Sequence, residues 1–303
     1  MALVGRWDIR TESYANGASI TSLTDRAGST NLNSNGGLSN PTYDSSLNAV
    51  KFISGSSQTI GSSSLGAALA ASPAGSAWSI FFLIYQTSLG GDVLGGFGNS
   101  GQVNSAFIAR TFASGTNPDF FFRDNADSTQ QNISASGSLT ASTWQVFHAT
   151  YDGTSIRVGI DGVNISPTTT RTENLAGVTW NQFGLGAYWR STVGSFWTGY
   201  LRECRVYNSD EYANLASIVS SMKSGPSTGI SITSVNAGSD VYSGQTLVKV
   251  VGTGLSNVTS ATYKGAACTA ISKSSSLSIT MTFPNFFTNN IKVGAQHALK
   301  VRG

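Results

Sequence analysis

Charge is what this chain has least of. Only 11% of its 303 residues are Asp, Glu, Lys or Arg, so its solubility rests on hydroxyls and amides. That disfavours a helical protein, whose outer faces are usually rich in Glu and Lys. Cysteine is nearly missing: Cys204 and Cys268 are the only two, too few and too far apart for a disulfide framework. Histidine is as scarce. His148 and His297 have no second histidine or cysteine near them in sequence, so no local zinc motif exists. No stretch approaches ~18 uninterrupted apolar residues, which leaves no transmembrane helix. The first eight residues hold no basic segment followed by an apolar run, so no signal peptide is expected.

What is present is glycine, 34 residues of it, set among Ser, Asn and Asp clusters that separate short alternating apolar and polar segments. That is the pattern of strands and turns. Residues 76–85 read as a fully buried strand. Residues 144–151 run into Asp152-Gly153, a two-residue hairpin turn, and 155–160 return before Asp161-Gly162 turns the chain again. One helix is expected after Ser209, which would cap it, with Asp210 and Glu211 at its positive end. Its apolar stripe would be Tyr212, Leu215, Ile218, Val219 and Met222, and Gly225-Pro226 would end it. Residues 226–303 carry one acid, Asp240, against six bases, while residues 1–225 hold fourteen acids and twelve bases. The C-terminal part is therefore the one suited to an anionic surface.

The landmarks that carry a family signal are Leu3-Val4-Gly5-Arg6-Trp7-Asp8, Thr24-Asp25-Arg26-Ala27-Gly28 and Trp144 through Asp161-Gly162. They continue with Phe183-Gly184-Leu185-Gly186, Phe196-Trp197-Thr198-Gly199-Tyr200-Leu201 and Arg202 through Asn208. In that order and spacing they resemble the concanavalin A-like lectin/laminin-G jelly-roll superfamily. The fold class expected is all-β: a jelly-roll sandwich over 1–223 with one short C-terminal helix, a linker over 224–229, and a smaller immunoglobulin-like sandwich over 230–303. The strand spacing, Gly252-Thr253-Gly254-Leu255 and the late Pro284 make the second domain similar to the IPT/TIG type.

Chemistry is sparse. Hydrolases of this superfamily use a Glu-x-Asp-x-x-Glu run, and none occurs here; the chain is expected not to be an enzyme. Asp119, Asp124 and Asp127 cluster, as turn aspartates around a strand or as an atypical acid pair. Gly96 to Gly101 matches a dinucleotide loop by letter, but a strand follows it instead of a helix. The resemblance implies a calcium ion held at a loop rim by aspartates and backbone carbonyls. The available aspartates are Asp8, Asp25, Asp92, Asp124 and Asp152, with Asp25 and Asp124 as the candidate ligands. Sugars are held by stacking on aromatic rings, and Tyr188, Trp189 and Arg190 open a polar loop that ends in Phe196 and Trp197. These three are the candidate carbohydrate-binding residues.

Three functions follow. The first is a non-enzymatic virion structural protein: a phage head-decoration, fibre or tail-associated subunit. Its partners would be capsid or tail proteins and a host surface glycan, not nucleic acid or membrane, with trimeric self-association and a place in the virion. The second is a bacterial carbohydrate-binding adhesin module. The third is a glycan depolymerase using Asp124 or Asp127.

Overall fold

The computed structural model describes residues 2–35, 37–87, 93–103, 105–111, 117–123, 130–172, 175 and 177–224, and the strands between 231 and 302. The chain divides into two compact units, Met1–Ser224 and Gly225–Gly303.

The first unit is a sandwich of two eight-stranded sheets. One runs β14 (Thr169–Thr170), β13 (Ser155–Ile160), β12 (Trp144–Tyr151), β7 (Trp78–Tyr85), β18 (Gly199–Tyr207), β5 (Ala49–Phe52), β4 (Thr42–Asp44), with β1 (Leu3–Asp8) also paired to β18. The other runs β11 (Gln130–Ser134), β10 (Asp119–Arg123), β9 (Ala106–Arg110), β8 (Val93–Gly98), β15 (Gln182–Leu185), β6 (Ile60–Ser62), β3 (Leu32–Asn33), β2 (Ser22–Leu23). A small hairpin joins β16 (Tyr188–Trp189) to β17 (Val193–Gly194). The expected jelly-roll sandwich with its short helix is the observed architecture.

The pleat explains which residues fill it. Along β7, Trp78, Ile80, Phe82 and Ile84 enter the main core, and Ser79, Phe81, Leu83 and Tyr85 take the opposite face. Between the sheets the rings form a continuous chain. Trp7 stacks on Phe183 at 4.8 Å, Phe183 meets Phe97 at 4.9 Å, Phe97 meets Phe107 at 5.5 Å, and Phe107 meets Trp78 at 4.5 Å.

The outer face of the first sheet is covered at one end by α2 (Leu215–Ser224), the second helix after the short α1 (Ala67–Ala71). Leu215, Ile218, Val219 and Met222 bury themselves on Phe81, Leu83, Val146 and Tyr207; burial of each such side chain contributes about 1.5–3 kcal/mol. The start of this helix differs from expectation. Asp210, not Ser209, accepts from the Tyr212 N–H at 3.0 Å, and the Ser209 hydroxyl donates to Glu211 at 2.6 Å. Tyr212 lies in a 3-10 turn, is 43% exposed, and stacks under Arg157 instead of joining the stripe. At its far end the helix is held by Arg10, whose guanidinium donates to the Met222 carbonyl at 2.6 Å. No helix among the described residues is long and apolar enough to cross a membrane.

The second unit has one sheet of β19 (Ser231–Ser239), β20 (Thr246–Thr253), β24 (Ser278–Phe283) and β23 (Ala270–Ser275). Its second sheet holds β22 (Ala266–Ala267), β21 (Ser260–Tyr263) and β25 (Leu299–Arg302). The expected linker lies largely outside the described residues, as do Gly254 and Pro284.

Candidate functional site

Beyond the end of α2, the outer face of the first sheet carries a row of side chains set by register alone. Trp144 pairs with Tyr85 across β12 and β7, Tyr85 with Tyr200 across β7 and β18, and Tyr200 with Lys51 across β18 and β5. All four are partly exposed. The ring centroids are 5.4 Å apart for Tyr85 and Trp144 and 5.8 Å for Tyr85 and Tyr200. With strands ~4.8 Å apart, the four positions span about 14 Å.

Two cations lie on these rings. The Lys51 ammonium is 5.9 Å from the centre of Tyr200. The Arg202 guanidinium is 3.9 Å from the centre of Trp144. A bulge between Leu201 and Glu203 sets Arg202 out of the regular pairing with β7. Its Nε and Nη2 both donate to the Leu47 carbonyl, at 2.9 and 2.7 Å. An acid on the Lys51 side is Asp44, whose carboxylate accepts from the Ser46 hydroxyl, the Ser46 N–H and the Leu47 N–H. The Ser46 hydroxyl, then those N–H groups, hold Asp44 below the usual carboxylate range.

Such a surface can stack the C–H face of a sugar ring and donate hydrogen bonds to its oxygens. Cross-strand aromatic pairs also stabilise a sheet on their own.

The residues expected to bind sugar lie elsewhere. Trp189 is only 4% exposed. Its indole lies on a floor of Gly184 and Gly61, where an added Cβ would come within 2.0 and 2.6 Å of the ring. Its Nε1 donates to the Thr59 hydroxyl at 2.7 Å. Buried in this way, it presents no face to a ligand. Tyr188 is half-buried, with the Arg190 guanidinium 4.2 Å from its ring centre. The pair packs at the hairpin instead of framing an open loop.

The calcium candidates are equally occupied. Asp25 accepts from the N–H groups of Arg6, Ala27, Gly28 and Thr30 at 2.9–3.0 Å, which makes it a turn-holding carboxylate. Asp8 is buried between Arg6 and Arg10, and Asp152 is taken by Thr154, Ser155 and Arg157. Asp92, Asp124 and Asp127 lie outside the described residues. Among the described residues no group of three metal-ligating side chains is assembled.

The acids are committed to structure as well. Glu203 accepts from Arg6, Arg10 and Arg205 at 2.7, 2.5 and 2.6 Å. Asp119 is gripped by Arg110 through both oxygens, at 2.9 and 2.5 Å; burial raises its pKa and Arg110 opposes that. His148 is fully buried against Phe81, and its Nε2 accepts from the Gly162 N–H at 3.3 Å. Burial, opposed by Asp161, lowers its pKa to about 4.

The model of the concanavalin A-like lectin/glucanases superfamily matches residues 59–210, just over half of the chain. The chain belongs to this superfamily. In the concanavalin A-like frame, Tyr85, Trp144 and Tyr200 come from three adjacent strands of one sheet. No curated protein matches the chain.

Three solved structures are similar to it. The binding domain of botulinum neurotoxin DC, in complex with rat synaptotagmin II, is 12% identical with a TM-score of 0.51, over 76% of this chain and 53% of that one. Domain 4 of AbnA, a GH43 extracellular arabinanase from Geobacillus stearothermophilus, in complex with arabinotriose, is 14% identical with a TM-score of 0.47, over 72% and 98%. The NanB sialidase from Streptococcus pneumoniae is 13% identical with a TM-score of 0.45, over 73% of this chain but 35% of that one. At these identities the likeness is one of fold, and the chain spans about a third of the sialidase. These neighbours are a toxin binding domain, an arabinanase domain and a sialidase, and no virion component is among them. The expected role as a phage capsid-decoration, fibre or tail protein is corrected on that finding.

Proposed function

We propose that residues 1–224 form a carbohydrate-binding module that holds a glycan on Tyr85 and Tyr200, beside the Arg202-covered Trp144. The observation that carries this reading is the row itself: three partly exposed aromatic side chains on adjacent strands, of which Trp144 borders the cluster under α2. Aromatic stacking gives affinity for sugar rings, and the flanking Lys51 and Arg202 supply hydrogen-bond donors. The arabinotriose complex of AbnA domain 4 is in keeping with this use of the fold.

The partner in this reading is a cell-surface glycan, as for a bacterial adhesin. The second unit is read as an immunoglobulin-like sandwich of the IPT/TIG type, on its strand spacing. Self-association of the chain is a further proposal that sedimentation velocity tests.

The test of the module is a glycan array probed with the intact chain and with Tyr200→Ala and Tyr85→Ala. Selective binding by the parent, weakened at least ten-fold in both variants while their thermal unfolding stays cooperative, is expected. Binding to no glycan, or binding that both variants keep in full, would overturn it.

A further inference from the structure

We infer that the ligand of this row is a carboxylated polysaccharide, a linear chain of acidic sugars such as uronates, and not a neutral glycan. This rests on the carbohydrate-binding reading above and adds to it the charge of the ligand.

The inference comes from what stands on and around the rings. Lys51 and Arg202 each place a positive charge against a different aromatic member of the row. A sugar stacked on Tyr85 or Tyr200 therefore has a cation beside it. Arg202 is oriented, not free: two of its nitrogens are fixed on the Leu47 carbonyl, and among the described residues no hydrogen bond uses Nη1. A guanidinium held in this way keeps N–H groups for a planar carboxylate and loses little side-chain freedom on binding. Lys51 forms no salt bridge among the described residues, and the acid its charge acts on is Asp44.

The described acids around the row have partners of their own, Asp161 beside Val146 being paired with Lys223. Asp44 is the acid on the β4 side, and three donors from Ser46 and Leu47 engage its Oδ1. Asp8 and Glu203, the next carboxylates along these strands, are fully buried and matched by Arg6, Arg10 and Arg205. Tyr85 stands at 83° to Tyr200 and is tilted by 47° to Trp144, so one ring offers its face to a sugar while its neighbours and the two cations flank it.

The experiment uses the full chain in affinity electrophoresis and calorimetry against polygalacturonate, alginate and hyaluronan, each paired with its carboxyl-reduced form. The neutral glycans found on the array are included. The parent is expected to prefer at least one acidic member over its reduced partner by ten-fold or more. Lys51→Gln should cut affinity for that member about five-fold, the scale of one partly exposed charge contact, and weaken the reduced partner by a smaller factor, so that the gap between the two forms narrows. Raising salt from 50 to 500 mM should narrow the same gap.

Equal binding of acidic and reduced forms, or a neutral ligand preferred over all of them, both lost in Tyr200→Ala, would overturn the charge inference and leave the module standing. No binding to any member of the panel or the array would remove both. A dimer that Tyr200→Ala converts to monomer would show that a second copy covers the row, and would also overturn it.

Discussion

Arg202 covers Trp144: its guanidinium sits 3.9 Å from the centre of the indole while two of its nitrogens are tied to the Leu47 carbonyl. One side chain thus joins the turn between β4 and β5 to the start of β12, two strands beyond its own. Arg202→Ala should destabilise the jelly roll by about 1–2 kcal/mol, from the lost cation–π contact and an unpaired carbonyl. Arg202→Lys should recover part of this, because an ammonium cannot reproduce the two-nitrogen grip. Urea midpoints of the two variants decide it, with equal midpoints for parent and Arg202→Ala as the adverse result.

The seat of Trp189 makes an opposite claim for that residue. Gly184→Ala would drive a methyl into the indole, at a cost of about 1–3 kcal/mol or more, and Trp189→Ala about 3–5 kcal/mol. Thermal unfolding should register both as large losses. A Trp189→Ala variant as stable as the parent would mean that the ring is not packed on the glycine floor.

His148 gives the unit an acid-sensitive core. Its folded pKa of about 4 lies below the ordinary 6.5, so the unfolded chain takes up a proton first as pH falls. Stability should drop between pH 6.5 and 4, by about 3 kcal/mol in total, and this contribution should then level off. His148→Gln should flatten that part of the profile. Denaturant midpoints read from pH 7 to 4 in both proteins provide the check.

Glu203 is the hub of three arginines. Glu203→Gln should cost about 3–5 kcal/mol, because Arg6, Arg10 and Arg205 keep their charges in a largely buried setting. Arg10 also holds the last turn of α2, so amide exchange at residues 219–224 should quicken in this variant before global unfolding. Unchanged exchange there would separate the helix from the network.

The sandwich was legible in the sequence because its signals are local: the alternation of β7, the Asp152-Gly153 turn and the stripe of Leu215, Ile218, Val219 and Met222 each lie within a few residues. The row on the outer face was not. Trp144, Tyr85 and Tyr200 are separated by dozens of residues, and only the register across β12, β7 and β18 brings them level. Even the facing of Tyr200 depends on which side of the bulge before Glu203 it falls. Trp189 drew attention for the converse reason. An aromatic ring between polar neighbours reads as exposed until the glycines beneath it, 5 and 128 positions away in the chain, are known to form its floor. Asp25 looked like a metal ligand because a carboxylate that holds a turn and one that holds a cation share the same short pattern, and only the four N–H donors tell them apart.

The pairing of β1 with β18 has a consequence for how the molecule is made. Arg6 and Glu203 are 197 positions apart, and β18 fills the slot between β7 and β5. During synthesis, an edge of β7 and the whole of β1 wait unpaired until residue 207 has left the ribosome. Closing so long a loop is slow, and an open apolar edge invites pairing with other chains. The vulnerable interval of this protein is therefore set by translation of its last jelly-roll strand, and a ribosome stalled before that strand would release a chain prone to aggregate.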